Sequence, residues 1–339
     1  MPPRLRCPKC GAGLCELACS ECGVRFPKLG EIADLRVFDP PYDSKDADWQ
    51  HATELLRKSS QVSLADLIVF HFQSRPGPEG VTLPPDLVRR YINFKVNARE
   101  REQKQREEAR SLMACLGVPV ADGGLAVDIG CGTGGALVVL SAEFDHVIGI
   151  DISMSNLALA KKRLEEHDVL NVTLLAGCAE SLPLPDGSAR YVTASDVIEH
   201  VRDQERFMRD AYRLLDAEGC FRLNSPNRYT LGREVHVNVF GVGFLPRAWQ
   251  SRFVQIMRGI PYEHKRPLSY RELVCLCRAA ADDKHRALTE TEVIRHASIP
   301  AASTKGLLRR AVISSPFGAW VVSTLERRFG RSYVALLWR

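Results

Sequence analysis

Beyond residue 125 the chain alternates short apolar runs with helix-length amphipathic stretches. The runs 125–129, 146–150, 172–176, 191–195 and 220–224 read as strands, with helices starting near Gly134, Met154 and Gln204. In the last helix Phe207, Ala211, Leu214 and Leu215 fall on one helical face. This alternation predicts an α/β fold around a parallel sheet. Upstream, prolines at 40, 41, 84 and 85 bracket a helical pattern over 48–72, and a second helix is expected over 86–116. The middle of the second alternates charge signs and so belongs against solvent or over a cleft. After residue 224 a long irregular stretch runs to about Leu268, rich in Gly, Pro and aromatics. A helix over 270–281 follows, and the apolar segment 332–338 closes the sheet. No apolar run reaches the roughly 18 residues of a membrane span.

The cysteines add a second unit. Five of the eleven crowd between Cys7 and Cys22. Cys7 and Cys10 form one Cys-x-x-Cys pair, Cys19 and Cys22 another, and eight residues separate the pairs. Two such knuckles let four thiolates converge on one zinc ion, with Cys15 left as a bystander. So small a unit has no core, and the metal supplies its folding energy. The expected organisation is a zinc-ribbon-like module over 1–38, a helical linker and cap over 39–116, and an α/β domain over 117–339 with an insert at about 225–270. With no export signal in the basic N-terminus and no even disulfide framework, the expected compartment is the reducing cytoplasm. The net charge of +5 is mild, although the C-terminal end is rich in arginine (Arg309, Arg310, Arg327, Arg328, Arg331). A solvated basic face explains that, and contact with phosphates is the alternative.

The chemistry starts at Val127-Asp-Ile-Gly-Cys-Gly-Thr-Gly-Gly135, between a strand and a helix. Glycines there permit a tight turn and close approach by a ligand, and Gly130, Gly132 and Gly135 also satisfy a dinucleotide-binding pattern. Asp128, two residues before the first glycine, argues for a ligand with a positive amino group. Asp151 ends the next strand, where an acid can accept from two ribose hydroxyls.

Together with Ala179-Glu-Ser-Leu-Pro-Leu-Pro-Asp-Gly187 and Asp196-Val-Ile-Glu-His-Val201, these runs resemble class I S-adenosylmethionine-dependent methyltransferases. The likeness is greatest to the group that includes the ubiquinone-biosynthesis methyltransferases, over roughly residues 90–225 plus the last strand. It implies a Rossmann-like fold with a mostly parallel seven-stranded sheet and helices on both faces. It implies that Gly130, Cys131, Gly132 and Gly134 wrap the methionine part and that Asp151 and Ile152 lie at the ribose. Ala179 and Glu180 then sit beside the adenine, and Ser195 and Asp196 near the transferring methyl. Cys178 occupies a place where this family often has an aspartate.

His200 lies just past the fourth strand, as a general base, a metal ligand or a helix-start histidine. With Asp196 and Glu199 it forms an acid-x-x-acid-His cluster, which shares one face if a helix starts there. Certain ubiquinone-biosynthesis O-methyltransferases resemble this and hold a divalent cation such as Mg²⁺ at the matching cluster. Tyr229, His236, Phe240, Phe244, Trp249, Tyr262 and His264 in the insert are expected to cover the acceptor or to form a satellite core.

The function that follows is methyl transfer to a small-molecule acceptor, through oxygen or else carbon. No Asn/Asp-Pro-Pro-aromatic motif follows the fourth strand, which counts against planar nitrogen acceptors. An rRNA or tRNA methyltransferase with a zinc recognition module is one alternative, although the knuckle gap is shorter than in the RNA enzymes of that plan. A non-catalytic zinc-dependent assembly factor is another, and the intact Asp128, glycines and Asp151 oppose it.

Overall fold

A computed structural model describes residues 4–41, 43–74, 83–118, 121–281, 285–289, 324–325 and 327–339. Pro76, Gly77, Pro78, Arg309 and Arg310 lie outside the described residues.

Two short hairpins open the chain: β1 (Leu14–Cys15) with β2 (Ala18–Cys19), and β3 (Lys28–Leu29) with β4 (Ile32–Asp34). Four helices follow: α1 (Lys45–Ser59), α2 (Leu64–Gln73), α3 (Pro85–Val96) and α4 (Ala98–Leu116). Each of the two long helices expected from the sequence is thus a pair. Ser63 accepts from the Asp66 amide and starts α2 afresh. Asn97, at φ −86° and ψ 25°, leaves helical geometry between α3 and α4.

The α/β part runs β5 (Leu125–Ile129), α5 (Gly135–Leu140), β6 (His146–Asp151), α6 (Met154–Glu166), β7 (Val172–Ala176), β8 (Ala189–Ser195), α7 (Gln204–Arg213) and β9 (Leu215–Pro226). Beyond it lie α8 (Arg247–Arg258), α9 (Tyr270–Ala281), β10 (His285–Thr289) and β11 (Ser332–Trp338). The insert, expected to be irregular, therefore contains a three-turn helix. Pro246 opens it and Gly259, at φ 69°, ends it in the left-handed conformation.

Among the described residues the sheet has nine strands, ordered β10-β11-β9-β8-β5-β6-β7-β4-β3. Those from β9 to β4 run parallel, while β11 is antiparallel to β9. The two additions to the expected seven come from the N-terminal segment: β4 pairs with β7 and carries β3 outside it.

Alternation along the strands feeds two cores. Val127, Ile129, Ile148 and Ile150 face a layer that includes Phe207, Met208 and Cys277. Ala126 and Val147 face Leu55, Leu67, Ile68, Met113 and Leu157 on the other side. Cys7, Cys19 and Phe26 from the cysteine-rich segment belong to the first core. Burying a Leu- or Phe-sized side chain contributes about 1.5–3 kcal/mol, so both faces of the sheet hold the fold. Strand order reverses between β5 and β8, which opens a crevice at their carboxyl ends.

Candidate functional site

That crevice is a cavity of about 770 Å³. Its floor is the β5–α5 bend. Gly130, at φ 71°, has no room for a side chain, because a Cβ would lie 2.3 Å from Val197 Cγ2. Gly135 lets α4 close down on the bend: a Cβ there would meet the Ala98 backbone at 2.7 Å.

Asp151 closes one side of the bend. One of its oxygens accepts from the Gly132 amide at 2.8 Å, the other from the Ser153 amide at 2.8 Å. Asp128 stands on the opposite side, only 4% exposed. Burial, with Glu102 and Asp151 nearby, pushes the Asp128 carboxyl well above its usual range, and burial raises Asp151 too. Two buried acids that resist ionisation form a site that gains by receiving a positive ligand.

The expected cofactor residues Asp128, Gly130, Cys131, Gly132, Asp151, Ile152, Ala179, Glu180 and Ser195 all line this cavity. Gly134 instead packs on Ala160 behind the bend, with 3.1 Å between that Cβ and one built on the glycine. Glu180 accepts from the Arg202 amide at 2.7 Å, and the Ser195 hydroxyl accepts from Arg222 at 3.2 Å. Cys178 is fully buried, with its sulfur 4.0 Å from the Phe38 carbonyl. The thiol thus packs on the N-terminal segment and does not stand in for the family's aspartate.

Lys95 of α3 also reaches the bend, 3.5 Å from a Cβ built on Gly132, and burial lowers its pKa. No sequence signal distinguishes it from the other lysines.

The far end of the cavity holds the acid-x-x-acid-His cluster, rearranged. Residues 196–203 form a turn, and α7 starts only at Gln204. Asp196 has φ 56° and accepts from the Asn224 side chain at 3.1 Å. The shared helical face is therefore absent, and Asp196, although near enough to act on Glu199 by its charge, is not one of the three converging groups. His236, from the insert, takes its place: the ligand atoms of Glu199, His200 and His236 all lie within 4.8 Å of one another.

Hydrogen bonding fixes both imidazoles. His236 Nδ1 lies 2.6 Å from a Glu234 carboxylate oxygen, and His200 Nδ1 lies 3.3 Å from the His264 carbonyl. Carboxylate and carbonyl oxygens only accept, so each Nδ1 carries its proton. The two Nε2 lone pairs then converge at 3.1 Å, which needs a cation, a proton or a metal ion, between them. Glu199 stands 3.7 and 3.9 Å from these nitrogens, fully buried, with neither carboxylate oxygen hydrogen-bonded. Burial and Asp196 drive its pKa well up, while burial drives that of His200 well down. A divalent cation would satisfy all three groups.

In the N-terminal segment Cys7, Cys10, Cys19 and Cys22 meet within the same 4.8 Å limit. Cys7 and Cys22 sulfurs are 3.6 Å apart, Cys10 and Cys19 sulfurs 3.4 Å. Four thiolates at Zn–S distances of about 2.3 Å span edges of roughly 3.8 Å, so the cluster fits a tetrahedral ion. Cys15 is exposed and outside it.

Residues 127–223 match the family model described as a methyltransferase domain. By that match this stretch is similar to methyltransferase domains, and it forms the centre of the sheet described above. A demethylmenaquinone methyltransferase of Listeria welshimeri is 32% identical over 148 residues, 42% of this chain and 58% of that protein. A probable S-adenosylmethionine-dependent methyltransferase of Mycobacterium tuberculosis is 33% identical over 116 residues, 34% of this chain and 40% of that one. The chain thus spans little more than half the length of the Listeria relative. Among solved structures, the YcgJ protein of Bacillus subtilis aligns with 68% of this chain and 98% of its own, at 19% identity and a TM-score of 0.42. The methyltransferase domain so defined ends before the insert that supplies His236 and Glu234. Among the described residues no helix is long and apolar enough to cross a membrane.

Proposed function

We propose that this chain transfers a methyl group from S-adenosylmethionine to a small-molecule acceptor through a hydroxyl oxygen. The observation that carries the reading is the continuity of one cavity from the Asp128/Asp151 end to His200 and His236. Asp128 takes the ammonium of the methionine part, Asp151 and Ile152 the ribose, and Ala179 and Glu180 the adenine, with Ser195 beside the methyl.

Transfer from a sulfonium depends on holding the acceptor oxygen in line and keeping water out. The roof formed by α3, α4 and the insert does both, since Tyr91, Phe94, Val237 and Ile260 line the cavity above the bend. With no ion bound, the Nε2 lone pair of His200, whose neutral form burial favours, is the acceptor for the hydroxyl proton; a cation held on that nitrogen would take over this role by favouring the ionised hydroxyl.

Glu199, His200 and His236 fit a resident divalent cation. When bound, it supplies Lewis acidity that favours the ionised hydroxyl. The Mg²⁺ expected from the family resemblance suits an all-oxygen site better. Two imidazoles and one carboxylate suit zinc, manganese or iron. Glu234 and the His264 carbonyl act behind the ligands, fixing which imidazole nitrogen is presented. Zn²⁺ in the four-cysteine cluster is structural in this reading.

The test is incubation of the purified chain with methyl-labelled cofactor and a cell extract. Label is expected in the small-molecule fraction, and Asp151→Ala should abolish it together with cofactor binding. Label in the RNA fraction alone would replace this reading by the nucleic-acid one. Binding without any transfer would favour the assembly factor.

A further inference from the structure

Six of the nine exposed large apolar side chains among the described residues belong to the insert: Leu231, Phe240, Phe244, Trp249, Ile256 and Met257. Helix α8 presents three of them. Its inner side is Gln250 and Val254, and Val254 packs with Leu87, Val237 and Ile260. Its outer side carries Trp249 at 68% exposure, Arg252 and Ile256 at 73%, with Met257 on the flank at 57%. Trp249 and Ile256 are seven residues apart and so stand two turns from one another on one stripe. A water-facing helix normally carries its apolar residues inward; this one is apolar on both sides.

Charge identifies the occupant. Residues 226–268 hold seven Arg or Lys against two acids, Glu234 and Glu263. Glu234 holds His236, Glu263 is exposed five residues past α8, and Arg247 and Arg258 pair with Glu272 and Asp86, so the exposed charge on the outer side of α8 is that of Arg252. Arg252 is exposed between Trp249 and Ile256, and exposed Arg233 is bridged to Phe240 across a short antiparallel pair. Tryptophan and aliphatic side chains interleaved with arginine match the boundary between anionic headgroups and acyl chains.

We propose that α8 is a membrane-surface docking helix, with Trp249, Ile256 and Met257 bedded in the headgroup–acyl boundary of an anionic bilayer and Arg252 on lipid phosphates. The helix lies on it without spanning it. Beneath α8, Val237 and Ile260 line the cavity, so the helix and the side chains it packs on separate the bilayer from the acceptor space. Docking would let an acceptor with an apolar tail enter from the lipid; this last step rests on the methyl-transfer reading, whereas docking itself does not.

The experiment is co-sedimentation of the full chain with phosphatidylcholine vesicles, with and without about a third phosphatidylglycerol. Binding is expected only with the anionic lipid, with weakening by added salt and a loss of tenfold or more in Trp249→Ser/Ile256→Ser. Binding of S-adenosylhomocysteine by that variant should match the wild type, which shows that it folds. Arg252→Glu, which leaves the apolar stripe intact, should also weaken sedimentation. No binding to anionic vesicles, or equal binding by the variants, overturns the proposal. So does a concentration-dependent dimer that the double variant abolishes, because a second copy is then the occupant. Trp249 fluorescence, taken as the difference between wild type and Trp249→Phe, supplies the last outcome. If iodide fails to quench it in the monomer without vesicles, the chain covers its own face and the proposal fails. Loss of methyl transfer with docking intact would count against the proposed reaction alone.

Discussion

Asp48 is the most consequential residue outside the cavity floor. It lies in the first turn of α1 and is completely buried. One oxygen accepts from Arg36 Nη1 at 2.8 Å and from the Met154 amide at 2.6 Å. The other accepts from the Ser155 hydroxyl at 2.6 Å and, at 3.2 Å each, from the Ser155 amide and the Ser153 hydroxyl. Arg36 in turn reaches the Ile152 carbonyl, next to Asp151. Asp48→Ala would leave a buried guanidinium with Asp34 as its remaining charged partner and strip the start of α6 of its acceptor. Removing one member of a buried, hydrogen-bonded ion pair costs about 3–5 kcal/mol. At roughly 2 °C per kcal/mol for a chain of this size, the melting temperature should fall by about 6–10 °C. Asp48→Asn keeps one acceptor oxygen and should fall by about half as much. Because the same contacts hold residues 152 and 153, affinity for S-adenosylhomocysteine should drop about tenfold, or roughly 1.4 kcal/mol. Calorimetric melting and titration of both variants read these quantities. If Asp48→Ala melts within 2 °C of the wild type, the network does not brace the loop at residues 152–154, and the expectation is refuted.

Three further outcomes follow from the same geometry. Asp128 and Asp151 have raised pKa values, so without ligand they favour the fold at low pH and lose that effect as pH rises through those values. A sulfonium ligand favours their ionised forms, so cofactor binding should release protons and tighten as pH rises above about 4, the ordinary carboxylate value; equal binding enthalpies in buffers of different ionisation heat would refute this. Glu199→Gln or His236→Ala should lower Mn²⁺ or Zn²⁺ affinity at the second cluster at least tenfold, read by metal titration of protein with the cysteine cluster loaded, whereas Asp196→Asn should not. Stripping zinc with a strong chelator should lower the melting temperature, and it should also weaken S-adenosylhomocysteine binding if the knuckle braces the adenine loop; unchanged melting would show that the thiols need no ion.

The sheet was legible because strands buried on both faces read as continuous apolar runs, and residues 125–129, 172–176 and 332–338 appear as strands with the expected bounds. The glycine bend and its two acids were legible for a different reason: close approach and charge demand particular residue types. Helix breaks were harder. Ser63 and Asp66 form a capping pair whose signal was outweighed by apolar residues on both sides. Helix α8 is not legible in the sequence, because its outward Trp249 and Ile256 blur the single apolar face that marks a surface helix. Strand β4 has three residues, and only its pairing with β7 makes it a strand. His236 joins Glu199 and His200 through tertiary folding across an insert, where no spacing rule operates.

The cysteine cluster and the cavity are joined by more than the covalent chain. The Pro8 carbonyl, inside the first knuckle, accepts from the Ser181 hydroxyl, and the Arg6 amide donates to the Pro183 carbonyl at 3.0 Å. Ser181 is the residue after Glu180, which lines the cavity at the proposed adenine end. Past the second knuckle, the chain enters the sheet as β4, and the Leu35 amide donates to the Ala176 carbonyl at 2.7 Å. Both walls of that part of the cavity, the β7 terminus and the loop that follows it, are thus anchored to a segment with few buried residues of its own. Without an ion, four thiols crowded within 4.8 Å supply little to hold that anchor. With one, the binding energy of the metal becomes folding energy of the segment and, through Pro8, Arg6 and β4, rigidity of the cavity wall beside Glu180. A bystander module would touch the domain through a linker alone. This one contributes Cys7, Cys19 and Phe26 to the core beneath β5 and β6, so it is part of the machinery that shapes the pocket.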